Sequence, residues 1–173
     1  ILHRLVGSEM CIRDSSISSN SFRPGDILNS RSGLTVEIGN TDAEGRLILA
    51  DSLTLADEGS PDLIIDMATL TGAARVAVGP EIVPFFSTSD AISNILKKVS
   101  QNVQDPVWEL PFFAPYGKWL NNEISDLNNS PNTPFAVSII AAEFLKKFIT
   151  NTNNYLHFDV YNWNNGTNRY IHK

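Results

Sequence analysis

The chain has 173 residues, of which 42% are hydrophobic and 18% are charged, and its formal net charge is −6. This length and composition suit one globular domain with a sizeable core and exclude a disordered chain. The acidic balance, without a clustered basic face, excludes nucleic acid as an expected partner, and no apolar run reaches the ~20 residues of a membrane helix. The single cysteine, Cys11, excludes an internal disulfide, so we expect a cytoplasmic protein.

Residues 1–16 differ in character from the rest of the chain. Charged side chains interrupt each apolar run there, so the segment is neither a signal peptide nor a periodic element. The run from Val6 to Ser15 resembles translated adaptor sequence. We therefore predict that residues 1–16 are a non-native segment, and we assign the fold to residues 17–173.

A polar loop with a turn at Pro24-Gly25 precedes a short hairpin, whose two strands are joined by a turn at Ser32-Gly33. The hairpin leads into the first strand-to-helix junction. The second hairpin strand is predicted at residues 34–38 and is closed by Gly39. A helix with apolar residues at helical spacing follows, from about Asp42 to Ala56. Open α/β sheets bind their ligands where a strand ends and a helix begins, so this junction is the leading candidate site.

Two carboxylates and a guanidinium occupy this junction, at Asp42, Glu44 and Arg46. In an irregular turn before the helix all three side chains face one cleft. Adjacent carboxylates repel each other, and a divalent cation such as Mg, Mn or Zn relieves the repulsion. The same residues also fit a capping box, in which Thr41 and Glu44 cap the helix. Spacing alone leaves both interpretations open and favours the cap.

A second strand-to-helix junction follows the apolar run at residues 63–68. This run is typical of a strand that is covered on both faces, and its one charge, Asp66, is interpreted as a buried, hydrogen-bonded carboxylate. The turn Thr69-Leu70-Thr71-Gly72 comes next. It is either a loop with threonine caps or a binding loop, where a glycine permits close approach of a ligand to the backbone.

The rest of the chain continues the alternation of strands and helices. Pro84 predicts that its strand lies at an edge or carries a bulge, and His157 is interpreted as a satisfied core residue. The pattern predicts an α/β fold with three α/β/α layers around a mixed, largely parallel sheet. The further predicted elements are a helix at 73–78 ended by Gly79, a strand at 82–86, a helix from about 90 to 103, a helix at 135–149 and a strand at 155–161.

The eight residues from Asn40 to Leu47 resemble the signature of the leucyl (cytosol) aminopeptidase family, hexameric exopeptidases that use two metal ions. Residues 23–26 and 68–73 match further family segments in order and approximate spacing. The resemblance covers most of the chain from about Phe22 to about Trp163. It implies that residues 17–173 are a partial C-terminal catalytic domain.

The resemblance implies roles for the junction residues. By this resemblance, Asp42 and Glu44 are ligands of two divalent ions, Mn or Zn, and Glu44 bridges them. Arg46 is the catalytic residue near the attacking water and holds bicarbonate. The substrate-binding residues that it implies are Asn40, Ala43, Thr69, Leu70, Gly72 and Tyr161.

Two segments depart from the family pattern. Residues 130–134 replace the usual glycines of a loop, which predicts a stiffer loop. The residues from Tyr161 to Asn164 stand where better-known members have small residues that help form the side-chain pocket. The hypothesis that follows is a pocket narrower or more polar than a plain leucine pocket.

The resemblance implies an enzyme that releases N-terminal amino acids from peptides with a free N-terminus and is a homo-hexamer at full length. The family's other metal ligands and its catalytic lysine have no match in this sequence, so we predict half of a dinuclear site and a fragment that is inactive alone. One alternative is a non-catalytic homologue that acts as a scaffold or assembly subunit. A Mg-dependent phosphoryl-transfer domain is disfavoured because the sequence has no glycine-rich phosphate loop.

Overall fold

The structure is a computed structural model that describes residues 2–5, 8–11 and 21–161. Near the N-terminus, β1 (Leu2–Leu5) and β2 (Ser8–Cys11) pair as an antiparallel hairpin. The non-native origin of residues 1–16 stays a prediction. Among the described residues, no helix combines the length and the apolar character that crossing a membrane requires.

Two sheets form the centre of the fold. The smaller has the order β3-β4-β8, with β3 antiparallel and β8 parallel to β4. The larger has the order β5-β9-β6-β7, in which β5 runs parallel to β9, β6 parallel to β7, and β6 antiparallel to β9. The strands are β3 (Ile27–Asn29), β4 (Thr35–Glu37), β5 (Ile64–Ala68), β6 (Val83–Ser87), β7 (Val107–Glu109), β8 (Leu127–Asn128) and β9 (Tyr155–Asp159).

Helices flank the larger sheet and confirm the predicted α/β fold with mixed strands. The main core packs β9 against two helices, α1 and α5, and a second cluster packs β6 and β9 beneath α3. The helices are α1 (Glu44–Asp57), α2 (Ala73–Val78), α3 (Asp90–Val103), α4 (Ala114–Gly117) and α5 (Val137–Lys146), with 3-10 turns at Thr41–Ala43 and Lys118–Leu120.

The structure overturns the predicted cover of β5 and, for Pro84, the edge position; the bulge at Pro84 stays a prediction. β5 lies at the sheet edge, and among the described residues it is not covered on both faces, because Ile65 is 50% exposed and Met67 63%. Conversely, Pro84 lies in an interior strand. β9 pairs with β6 only from Phe85 to Ser87, so the N–H that Pro84 lacks falls outside that register.

The predicted helix at 135–149 is shorter in the structure. Ala136, immediately before α5, has a left-handed backbone with φ 52°, which delays the helical start. After Lys146 the backbone N–H groups of residues 147–149 donate to carbonyls three residues earlier, so the helix ends in a tight turn.

Hydrogen bonds across β5 and β9 involve Asp66 as predicted. Its carboxylate accepts from Tyr155 Oη at 2.7 Å and lies 2.8 Å from His157 Nδ1. Burial, followed by the charge of Asp66, raises the pKa of Tyr155 well above its usual value. His157 was predicted to be a satisfied core residue, and its Nδ1 has a partner in Asp66. Its Nε2 is buried and has no hydrogen-bond partner among the described residues.

The C-terminal end of α1 is tied to the segment before β9 by one carboxylate. Asp57 is buried and accepts backbone N–H bonds from Thr150 at 2.7 Å, Asn151 at 2.8 Å and Thr152 at 2.8 Å. Burial raises the pKa of Asp57, but the hydrogen bonds outweigh it and lower the pKa to about 2. Asp57 therefore anchors the helix whose opposite end carries the 40–47 motif.

Candidate functional site

The candidate site begins where β4 leads into α1. Asn40 has an extended backbone, and its Oδ1 accepts from Asp42 N at 2.9 Å, which caps the 3-10 turn. Helix α1 starts after this turn, and its N-cap residue Ala43 makes no side-chain cap. The side-chain cap observed at this junction is that of Asn40, and the Thr41–Glu44 box stays a prediction.

A fully buried amide, Asn129, holds this turn in place. Its Oδ1 accepts from Gly39 N at 2.8 Å and from Asn40 N at 3.1 Å. Its Nδ2 donates to Asn40 O at 2.8 Å and to Ala43 O at 3.3 Å. Its backbone carbonyl accepts from Arg46 Nη1 at 2.6 Å. Asn129 thereby joins three of the predicted site residues, although the sequence analysis gave it no role.

Arg46 is the most deeply buried charge of the motif, at 5% exposure. Burial lowers its pKa to about 10, while the nearby charge of Asp159 acts in the opposite direction. The guanidinium therefore stays charged at neutral pH. Its Nε is buried and has no hydrogen-bond partner among the described residues. A buried cation with an unused donor is suited to an anion such as bicarbonate.

Asp159, at the end of β9, holds the second predicted turn. Its Oδ1 accepts from Leu70 N at 3.1 Å and from Thr71 N at 2.9 Å. Its Oδ2 accepts from the hydroxyl groups of Thr71 and of Ser138, the latter at 2.8 Å. This buried carboxylate joins the turn to the first residues of α5. Asp159 lies in a predicted strand, and no pattern in the sequence indicates this function.

The two turns lie against each other. A Cβ atom built on Gly45 would lie 3.7 Å from Leu70 Cδ1, an ordinary van der Waals distance, so the second turn lies beside the start of α1. Leu70 therefore lies beside the start of α1, the helix that carries Arg46. Thr69 is exposed.

The two predicted metal ligands differ in exposure, because Asp42 is exposed and Glu44 is half-buried. Both offer hard oxygen donors that suit a divalent cation. Within the described residues, however, no group of three or more His, Cys, Asp or Glu side chains is arranged to hold a metal ion. Asp42 and Glu44 thus fit part of a metal site and do not complete one.

The remaining predicted residues, Gly72 and Tyr161, meet at a third side chain. The guanidinium carbon of Arg75 lies 4.7 Å from the centre of the Tyr161 ring. A Cβ atom on Gly72 would lie 3.3 Å from Arg75 Nη2. Arg75 therefore folds back from α2 over Gly72 toward Tyr161.

Comparison with known proteins gives consistent matches. The family described as "Cytosol aminopeptidase family, catalytic domain" matches residues 3–173. The chain is 48% identical over 147 residues to the cytosol aminopeptidase of Buchnera aphidicola from Acyrthosiphon pisum (strain APS), covering 85% of the chain and 29% of the relative. A probable cytosol aminopeptidase of Buchnera aphidicola from Baizongia pistaciae is 44% identical over 171 residues, which is 98% of the chain and 33% of the relative.

A crystal structure of the cytosol aminopeptidase from Coxiella burnetii matches with a TM-score of 0.81 and 46% sequence identity. This match covers 86% of the present chain and 33% of the Coxiella chain. The chain thus spans about a third of the length of the proteins it resembles.

Proposed function

Because the chain belongs to the cytosol aminopeptidase family, we propose that its parent protein is a metal-dependent aminopeptidase that releases N-terminal amino acids from peptides. The observation that carries this proposal is the buried, charged Arg46 with an unused Nε donor, in the first turn of α1 and close in sequence to Asp42 and Glu44. The cytoplasm and a homo-hexamer are proposed on the family resemblance alone.

Asp42 and Glu44 would hold two divalent ions, Mn or Zn, together with ligands from polypeptide outside this chain. Such ions, when bound, polarise a carbonyl group and activate a water molecule. Asp42 lies in the 3-10 turn and Glu44 is the first residue of α1, so the backbone fixes their spacing. Because this chain contributes only two of the ligands, it is proposed to be inactive by itself.

Arg46 would hold an anion, proposed to be bicarbonate, beside the reacting water. Its Nη1 is engaged by Asn129 O, which orients the guanidinium and leaves Nε as the donor for the anion. A fixed positive charge in a buried position stabilises developing negative charge more strongly than one in water. Arg46 therefore acts as a positioned electrostatic group.

The turn at residues 69–72 would bind the amino terminus of the substrate. The N–H groups of Leu70 and Thr71 both donate to Asp159, which fixes the orientation of their peptide planes. Carbonyl groups of the turn before Gly72, the N-cap residue of α2, would then serve as acceptors for the substrate amine. A carbonyl acceptor matches an amine donor, so the turn selects a free N-terminus.

The test uses the full-length parent and measures Mn²⁺-dependent hydrolysis of leucine amide, with bound manganese counted in parallel. Glu44→Ala is expected to lower activity by about 100-fold or more and to reduce the manganese content. Glu81→Ala, which removes an exposed carboxylate elsewhere, is the matched control. Undiminished activity and manganese in Glu44→Ala would contradict the metal role. Metal-dependent activity of residues 1–173 alone would contradict the incomplete site.

A further inference from the structure

We propose that Arg75 determines specificity in the parent enzyme and that the preferred substrates carry an acidic N-terminal residue, glutamate or aspartate. This inference rests on the proposed aminopeptidase function and concerns the same site. Its starting point is the convergence of Gly72, Arg75 and Tyr161, of which the first and last are predicted substrate-binding residues.

The position of Arg75 follows from the local structure. Arg75 is the third residue of α2, which begins directly after the turn at residues 69–72. The close approach of its Nη2 to Gly72 means that any larger residue there would press on the guanidinium. The turn and the helix together direct the cation toward the place where the turn would receive a substrate.

Tyr161 covers one face of the cation. The guanidinium carbon lies 4.7 Å from the ring centre, which is within the distance of a cation–π interaction. Such stacking orients the planar guanidinium and leaves its N–H edges available. Those edges match the two oxygens of a carboxylate, which accept in a bidentate geometry.

The charge of Arg75 has no partner in the described part of the chain. The ion pairs found within residues 21–161 join Arg31 to Glu58, Lys97 to Glu109 and His157 to Asp66. Arg75 belongs to none of these pairs, so its charge is available to an anionic side chain.

A leucine side chain fits these surroundings poorly. Placing it against Arg75 would remove water from the guanidinium without supplying a hydrogen-bond acceptor, and burying an unpaired charge is costly. A glutamate or aspartate side chain of similar reach would supply that acceptor. The same cation therefore favours acidic residues and disfavours aliphatic ones.

The experiment compares the p-nitroanilides of glutamate, glutamine and leucine as substrates of the full-length parent with Mn²⁺. Glutamate and glutamine have nearly the same shape, so the ratio of their kcat/KM values isolates the charge. We expect glutamate to be preferred over glutamine by about tenfold, mainly through KM, and Arg75→Met to remove this preference. Arg75→Lys should retain part of it, and Lys98→Met, an exposed cation on α3, should leave it unchanged.

Equal kcat/KM values for glutamate and glutamine, or a preference that survives Arg75→Met, would overturn the inference. Failure to cleave all three substrates would instead contradict the proposed function. A binding measurement then still tests Arg75: L-glutamate is expected to bind about tenfold more tightly than L-glutamine by calorimetry, with the difference lost in Arg75→Met. Equal affinities would overturn the inference independently of turnover.

Discussion

The carboxylate of Asp57 should make the stability of this chain depend on pH in a defined window. Its pKa falls from 3.8 to about 2 in the folded state, because backbone N–H groups of residues 150–152 stabilise the charged form. A shift of this size corresponds to about 2 kcal/mol in the free energy of unfolding. Since the folded pKa is the lower one, this contribution is complete above about pH 4 and is lost as the pH falls toward about 2.

The variant Asp57→Asn keeps the shape of the side chain but removes its charge and turns one oxygen acceptor into a donor. Urea unfolding at pH 7 should show a loss of about 2 kcal/mol, and the gap from the wild-type chain should narrow in measurements below about pH 4. Asp62→Asn is the matched control, because the side chain of Asp62 is exposed. The hydrogen bond from Asn154 goes to the backbone carbonyl of Asp62, which the substitution leaves in place.

Two results would refute this reasoning. One is a loss below about 0.5 kcal/mol at pH 7, which is the range of ordinary surface substitutions. The other is a constant gap between variant and wild type from pH 7 to pH 3, since the linkage requires the gap to close as Asp57 becomes protonated.

Two further substitutions test the residues that hold the turns. Asn129→Ala should lower the free energy of unfolding by about 3 kcal/mol because it removes four buried hydrogen bonds; an unchanged urea midpoint would contradict this. Asp159→Asn should speed amide hydrogen exchange at Leu70 and Thr71 by about tenfold or more, and should lower the pKa of Arg46 further, as read by ¹³C NMR of its guanidinium carbon. Wild-type exchange at both amides would rule out the anchoring role of Asp159.

Elements with strong local signals were predictable from the sequence. Helix α3 occupies Asp90–Val103 with Ser89 as its cap, and α2 ends at Gly79, whose φ of 78° suits glycine. The hairpin of β3 and β4 also lies where the Ser32-Gly33 turn predicts it, and Gly33 has a φ of 87°. In these cases the capping group, the helical period or the turn residue lies within a few positions of the structure that it specifies.

The residues that hold the site were not predictable in this way. Asn129 contacts Arg46 across 83 positions, and Asp159 contacts Leu70 across 89 positions. An asparagine in a polar segment and an aspartate within a strand have no spacing that indicates such contacts. The order of the strands, which exposes β5 and places Pro84 in the interior, is equally a property of the whole fold.

The two anchors come from different sheets, and this determines how the site depends on the fold. Asn129 follows β8 of the smaller sheet and fixes the first turn, while Asp159 ends β9 of the larger sheet and fixes the second. The charge of Asp159 also opposes the effect of burial on Arg46, which Asn129 holds. Because each turn is bonded to a residue from a distant segment, neither turn is fixed by its own sequence alone. The site residues therefore take their relative positions only when both sheets are assembled, and the same assembly brings near Arg46 the negative charge of Asp159, which partly offsets the effect of burial on the pKa of Arg46.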